Sequence, residues 1–353
     1  MPDRWVEPLG LLHGPAAFHA VKLGVAMPLA GGALAFTLVR LVEDGESLGI
    51  GPLGEVPEPW RDLVEALSLR VPAFGGLPTD RPLVMGILNV TPDSFSDGGR
   101  FAAAEAAIAA GHAMLEAGAD ILDIGGESTR PGAEPVPEAE ELARILPVVR
   151  DLAKAAPVSV DTRSAAVMEA VLEAGAEVVN DISALRHDPE ALRVLMRAEA
   201  PVILMHMPGD DPRRMQELAT YEDVVLEVAR FLRDRVETLE ALGIPRGRIA
   251  IDPGIGFGKT MEHNLALIER LPILAGIGCR VVFGASRKRF IGRLSGVEAP
   301  AERLAGSLAA ALAAADRGAS ILRVHDVAET VQALAVWRAC AAGEPPPPLA
   351  EPE

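Results

Sequence analysis

Leu83-Val84-Met85-Gly86-Ile87-Leu88 reads as a buried strand, and Asn89-Val90-Thr91-Pro92-Asp93-Ser94-Phe95-Ser96-Asp97-Gly98-Gly99 ends it. The first run is short, apolar and bounded, as strands are. The second is too polar and too rich in Gly and Pro to continue a sheet. It is also long for a plain connection, and long polar loops after strands tend to carry function. Asn89 and the loop carboxylates Asp93 and Asp97 offer oxygens of the kind a hard cation takes.

The same event recurs seven times downstream. Asp120–Ile124 runs into Gly125-Gly126-Glu127-Ser128-Thr129-Arg130-Pro131-Gly132. Pro157–Val160 ends in Asp161-Thr162-Arg163, and Glu177–Val179 in Asn180-Asp181. Pro201–Met205 ends in His206, Arg248–Ile251 in Asp252-Pro253-Gly254, Arg280–Ala285 in Ser286-Arg287-Lys288, and Ile321–Val324 in His325-Asp326. Helical patterns fill the gaps: Ala102–Ala117, Pro137–Lys154, a helix capped by Ser164, one opened by Asp188-Pro189, Tyr221–Leu242, Glu262–Leu271, Ala301–Gly318 and Val327–Ala341. Gly118, Gly175, Gly243 and Gly318 stand where C-terminal caps belong. Near-continuous apolar strands suit a parallel sheet covered by helices. Eight strand–helix units over roughly 260 residues fit an α/β (β/α)8 TIM barrel, whose usual size is about 250. An open doubly wound sheet is the competing architecture, and any single Asp after a strand could be only a helix cap. In a barrel, all eight polar endings converge on one mouth.

Composition narrows the chemistry. A net charge of −17 over 353 residues argues against nucleic acid as a partner. An anionic substrate must then be held by a local cluster of cations. The two cysteines, Cys279 and Cys340, make neither a disulfide framework nor a metal motif, which points to a reducing compartment. Val25–Val39 is interrupted by Pro28, Gly31 and Gly32 and is too short for a bilayer. A cytoplasmic enzyme is expected, with no membrane partner. Residues 1–79 fall outside the barrel rhythm and read as a small α+β extension. It has a strand near Ala33–Val42, a turn at Asp44-Gly45, a short helix at Glu58–Leu67 and a Gly/Pro-rich linker at Pro72–Pro82. Its expected role is to cover the barrel or an oligomer contact. Residues 80–342 are the barrel, and the acidic, Pro-rich tail 343–353 reads as disordered.

Asp252-Pro253-Gly254-Ile255-Gly256-Phe257-Gly258-Lys259-Thr260 is a near miss for two phosphate loops. A Walker loop needs Gly where Pro253 stands, and a dinucleotide fingerprint needs a small residue where Lys259 stands. Asp252 reads better as an acceptor, with Phe257 as an apolar wall. Asp161, Asn180 and Asp252 together make a carboxylate–amide–carboxylate set that suits a flat heterocycle rich in N–H donors. Lys288 and Arg323 end the seventh and eighth strands, where barrels commonly bind phosphate, and Ser286 and His325 join them. Arg130 lies in a Gly/Pro loop that could close over a second anion. His206, between two methionines, reads as packed lining ahead of metal binding.

At these residues the chain resembles the dihydropteroate synthase family. The runs Gly86–Phe95, Asp123–Gly132, Asn180-Asp181-Ile182, Asp252–Lys259, Ser286-Arg287-Lys288 and Arg323–Val327 look like its motifs, in its order. The resemblance implies a transferase of folate biosynthesis. It would join 4-aminobenzoate to (7,8-dihydropterin-6-yl)methyl diphosphate, giving 7,8-dihydropteroate and pyrophosphate with Mg2+. It implies that Asp161, Asn180, Asp252 and Lys288 hold the pterin, with Ile182 and Phe257 flanking it. Asn89 would hold magnesium, and Arg323 and His325 the diphosphate. Thr129 and Arg130 would close the site, and Ser286 would face aminobenzoate. Asp161, Lys288, Arg323 and His325 are the expected catalytic set. The family also implies a homodimer through the last helices. A pterin-dependent methyltransferase shares the barrel and pocket but handles no diphosphate, which counts against it. A non-catalytic pterin-binding protein would be expected to have lost Lys288, Arg323 or the loops.

Overall fold

The computed structural model describes residues 2–78, 80–91, 99–127 and 136–343. Asp93, Asp97, Thr129, Arg130 and the tail after Gly343 lie outside the described residues.

The extension is a four-stranded antiparallel sheet with two helices. Its elements are β1 (Arg4–Leu12), α1 (Gly14–Lys22), β2 (Met27–Pro28), β3 (Ala35–Glu43), β4 (Glu46–Pro52) and α2 (Arg61–Ser68). β3 is central, pairing with β1 along one edge and with β2 and β4 along the other. The turn at Asp44-Gly45 has positive φ at both residues (50° and 88°), which matches the twist of a tight hairpin. Val6, Phe36 and Val39 of the sheet are buried in one cluster with Trp60, Val64 and Leu67 and with Ala275 of the barrel. The pairing of β1, not anticipated from sequence, leaves Glu7 pointing at that junction.

The barrel follows. Its strands are β5 (Leu83–Asn89), β6 (Ile121–Gly125), β7 (Val158–Asp161), β8 (Val178–Asp181), β9 (Val202–Met205), β10 (Ile249–Asp252), β11 (Arg280–Phe283) and β12 (Ile321–Val324). All pairs are parallel and the ring closes from β12 to β5, so the architecture is a (β/α)8 barrel and not an open sheet. The surrounding helices are α3 (Gly99–Glu116), α4 (Glu138–Leu152), α5 (Ala165–Glu173), α6 (Ala191–Ala198), α7 (Val224–Ala241), α8 (Met261–Glu269), α9 (Arg289–Ser295), α10 (Leu304–Ala315) and α11 (Val327–Ala342). No described helix is long and apolar enough to cross a membrane.

Local chemistry explains most boundaries. Ser164 caps α5 by accepting from Val167 N at 3.4 Å, as its position suggests. Asp223 accepts from Val225 N and Leu226 N at 2.9 and 3.1 Å and starts α7. Asp188 differs from expectation. Its helix begins three residues later, and one carboxylate oxygen instead accepts from Ala165 N of α5 at 2.8 Å. One side chain therefore ties the starts of two neighbouring helices together.

Strand alternation arranges the interior in layers. Ile121, Val178, Ala250 and Ile321, from alternate strands, make the lowest. Met85, Ser159, Ile203 and Val282, from the other four, make the next. Two residues further along the first set come Asp123, Asn180, Asp252 and Arg323. The interior thus changes from hydrocarbon to charge in one step. Below, Phe74 and Leu77 close the floor, packed with Leu83, Met85 and Ile321. The segment expected to be a linker is therefore a plug: Phe74 is only 2% exposed.

Candidate active site

The charged layer sits just under the mouth formed by the strand C-termini. Arg323 is its hub. Its Nε donates to Asp123 Oδ2 at 2.6 Å and its Nη2 to Asp161 Oδ2 at 2.9 Å. Asn180 Nδ2 donates to the same Asp123 oxygen at 3.0 Å. The other Asp123 oxygen is buried without a hydrogen-bond partner among the described residues. Burial opposes the charge of Arg323, but Asp123 and Asp161 overcome it and hold its pKa above the ordinary value. Burial pushes Asp161 up to about 7, with Arg323 opposing and Asp123 reinforcing the shift.

On the β10 side, Asp252 Oδ1 accepts from Gly254 N at 2.6 Å. Burial raises its pKa, and the Lys288 charge works the other way. Lys288 donates to the Ile255 carbonyl and lies 4.6 Å from the centre of the Phe257 ring. Burial lowers Lys288 to about 8, with Asp252 resisting. Phe257 packs with Ile182, Met205, Met207 and Met215, making one apolar wall. This wall and the Asn180–Asp252–Lys288 edge together offer a slot for a flat polar ring.

The near-miss phosphate motif has a structural explanation. Gly254 has φ +69°, and a Cβ there would lie 2.0 Å from the His206 carbonyl oxygen. Lys259 turns inward instead of facing an anion. Its Nζ lies 3.0 Å from His206 Nδ1, 3.0 Å from the Phe257 carbonyl and 3.4 Å from the His206 carbonyl. Burial keeps His206 well below its usual pKa, so its ring accepts from the lysine. His206 also meets Phe231 edge-on at 5.0 Å. Lys259 and His206 thus pin the loop that carries Phe257, a clip that the sequence motif disguised.

At the β11 and β12 ends, Ser286 Oγ accepts from His325 N at 3.2 Å and lies 3.0 Å from His325 Nδ1. Arg287, between Ser286 and Lys288, has φ +59°. It is held there by its ion pair with Asp326 and by donation from its backbone N to Ser307 Oγ at 2.9 Å. Asn89 and Asp161 flank Gly125: a Cβ there would lie 3.7 Å from Asn89 Oδ1 and 3.6 Å from Asp161 Cβ. Among the described residues no group of three or more His, Cys, Asp or Glu could hold a metal alone. Magnesium, which takes one or two protein oxygens and completes its shell with phosphates and water, needs no such group. Asn89 supplies an oxygen of the right kind.

Asp161, Asn180, Asp252, Phe257, Ile182, Lys288, Arg323, His325, Ser286 and Asn89 thus all occupy the mouth end of the barrel. Sequence reading passed over two of their neighbours, Asp123 and Lys259. Asp123 could have been found by counting strand parity back from Gly125. Nothing local marks Lys259 as inward-facing.

Known proteins match most of the chain. Residues 85–325 match the family model described as pterin binding enzyme. The chain is 49% identical over 265 residues to a dihydropteroate synthase of Neisseria meningitidis serogroup C, covering 74% of this chain and 93% of the relative. It is 46% identical to the dihydropteroate synthase of Escherichia coli K12, with the same coverage of both. Among solved structures, Xanthomonas albilineans dihydropteroate synthase with 4-aminobenzoic acid matches at TM-score 0.70 and 55% identity, covering 74% of this chain and 94% of that one. The same enzyme in complex with 7,8-dihydropteroate matches at TM-score 0.67 and 48% identity, covering 75% and 95%.

Proposed function

The chain belongs to the dihydropteroate synthase family of pterin-binding enzymes, and on that premise we infer how its barrel mouth divides the reaction among its residues. The reaction joins the amine of 4-aminobenzoate to the methylene of a dihydropterin methyl diphosphate and releases pyrophosphate. The observation that carries this reading is the charged layer, in which a carboxylate–amide–carboxylate edge meets a paired arginine. Asn180, Asp252 and Lys288 hold the polar edge of the pterin, with Ile182 and Phe257 against its faces. Asp161 lies where the methylene becomes cation-like and stabilises that charge. Arg323 and His325 take up the charge that grows on the leaving pyrophosphate. Asn89 is the protein ligand for magnesium, which when bound supplies a Lewis acid for that oxyanion. Ser286, which braces His325, stands at the aminobenzoate end. Thr129 and Arg130, which lie outside the described residues, are assigned to the diphosphate and aminobenzoate by the family resemblance alone.

Residues 80–342 carry the chemistry and residues 1–79 brace them. The working unit is a homodimer through the last helices, where Val336 of α11 is 60% exposed. It acts in the cytoplasm, which suits the free thiols of Cys279 and Cys340.

The test is a pyrophosphate-release assay that requires both substrates and magnesium, with dihydropteroate measured in parallel. Release without incorporation of aminobenzoate would end the synthase reading.

A further inference from the structure

Asp123 is the one member of the charged layer to which the reaction gives no part. Its three companions, Asn180, Asp252 and Arg323, all face substrate in the reading above. Asp123 itself is 0% exposed and sits beside them in that layer, on β6. It reaches across the barrel in two directions, to Arg323 on β12 at 2.6 Å and to Asn180 on β8 at 3.0 Å, and uses the same oxygen for both.

Each contact fixes something that its partner alone leaves open. A guanidinium can present any of its five N–H groups. With Nε committed to Asp123, the fork of Arg323 can turn only about that bond, so its terminal nitrogens face Asp161 and the mouth. An asparagine amide can point either way, since its oxygen and nitrogen are nearly the same size. An ionised carboxylate only accepts. Asp123 therefore draws the NH2 of Asn180 toward itself and turns the amide oxygen the other way. That oxygen is what a ring N–H donor would meet.

We propose that Asp123 is a positioning residue that sets two distant contacts at once: the direction in which Asn180 presents its acceptor and the angle at which Arg323 meets the diphosphate. The proposal rests on the synthase reading. It joins the ring end and the anion end of the site through one oxygen, so the spacing between them is set by the barrel and not by the loops. The second oxygen, buried without a partner among the described residues, takes no share in that bridge. A group kept only for stability would be expected to satisfy both oxygens.

The test uses Asp123→Asn in the full chain, which keeps the shape but removes the acceptor-only character. Two probes report on the two ends without turnover: 6-hydroxymethylpterin for the ring and inorganic pyrophosphate for the anion, each by calorimetry. Both affinities should fall by about tenfold or more. The kcat/KM for the pterin diphosphate should fall on the order of 100-fold, the cost of a small misplacement, while the melting temperature changes little. If Asp123→Asn does not fold, Asp123→Ser serves with the same two probes. Unchanged affinity for either probe overturns the proposal, because one oxygen must serve both ends. Wild-type turnover is measured beside them: no dihydropteroate from the wild type ends the synthase reading, whereas the two affinities judge Asp123 in either case.

Discussion

Arg323 and Arg270 are each held between two carboxylates, and they differ in what is left over. Arg323 lies at the barrel mouth between Asp123 and Asp161. Arg270 lies at the junction with the extension, between Glu7 of β1 and Asp223 at the start of α7. At the junction every carboxylate oxygen is used. The second Glu7 oxygen accepts from Arg40 at 2.8 Å, and the second Asp223 oxygen accepts from two backbone N–H groups of α7. At the mouth one Asp123 oxygen has no hydrogen-bond partner among the described residues, and burial lifts Asp161 far above the carboxylate range. The same triad of charges is closed in one place and open in the other. The closed one holds two units of structure together, and the open one is the one to which the proposed function gives a ligand.

The sharpest way to break this contrast is to remove each arginine. Arg323→Ala should lower kcat/KM by about a thousandfold, the scale of a lost transition-state donor, and steady-state kinetics would show it. A loss under tenfold would mean that the mouth triad is only a brace. Arg270→Ala should do the reverse. It strands Glu7, 2% exposed, beside a single remaining partner. Unfolding free energy should fall by about 3–5 kcal/mol in denaturant titration, with kcat/KM of the folded fraction within twofold of wild type.

The pH dependence separates the open triad further. The kcat/KM profile reports groups of the free enzyme. Asp161 must be ionised to stabilise a cation, and burial has raised it to about 7, so the rate should climb as pH rises through that region and not near 4. Lys288 must be charged, and burial has lowered it to about 8, so the rate should fall above that value. The expected result is a bell peaking between the two, read from initial rates across pH 5 to 10. In Arg323→Ala the acid limb should move upward, because the charge that restrains Asp161 is gone.

The smallest effects concern the scaffold. Ser164→Ala should cost about 1 kcal/mol through its lost cap on α5. Asp188→Ala should cost more, about 2 kcal/mol, because its carboxylate accepts both from Ala165 at the start of α5 and from Glu190 at 2.9 Å. Equal losses in thermal unfolding would mean that only one of those two contacts matters.

The two triads also show what a sequence reveals and what it conceals. Asp161, Asn180, Asp252, Lys288 and His325 were legible because each follows an apolar run and a barrel gathers strand ends, and Arg323, inside its run, because it is a cation on the eighth strand, where barrels commonly bind phosphate. The parallel strands and their helices were legible for the same reason, since periodicity is local. Asp123 was not, because it lies inside an apolar run, two residues before the strand ends, and only parity places it inward. Glu7 carries no local signal in the sequence. Its partner Arg270 is at the far side of the sequence, and no spacing rule connects them. The strand that carries Glu7 was missed too, since it mixes Trp5 and Val6 with Glu7 and Pro8 and pairs only with β3. The short α9 has no counterpart among the helical patterns read from the sequence.

The floor of the barrel bears on the order in which the chain must fold. Phe74 and Leu77 are synthesised before any barrel strand, yet their socket includes Val282 of β11 and Ile321 of β12. Two large apolar side chains must therefore wait, unburied, until almost the whole ring has been made. Contacts this distant in sequence form late and slowly, and an exposed apolar segment is open to aggregation in the meantime. The antiparallel sheet just ahead of them is built from neighbours in sequence and can form at once. Closure of the ring, and with it the seating of Phe74, is then the late event that turns a string of strand–helix units into one cooperative body.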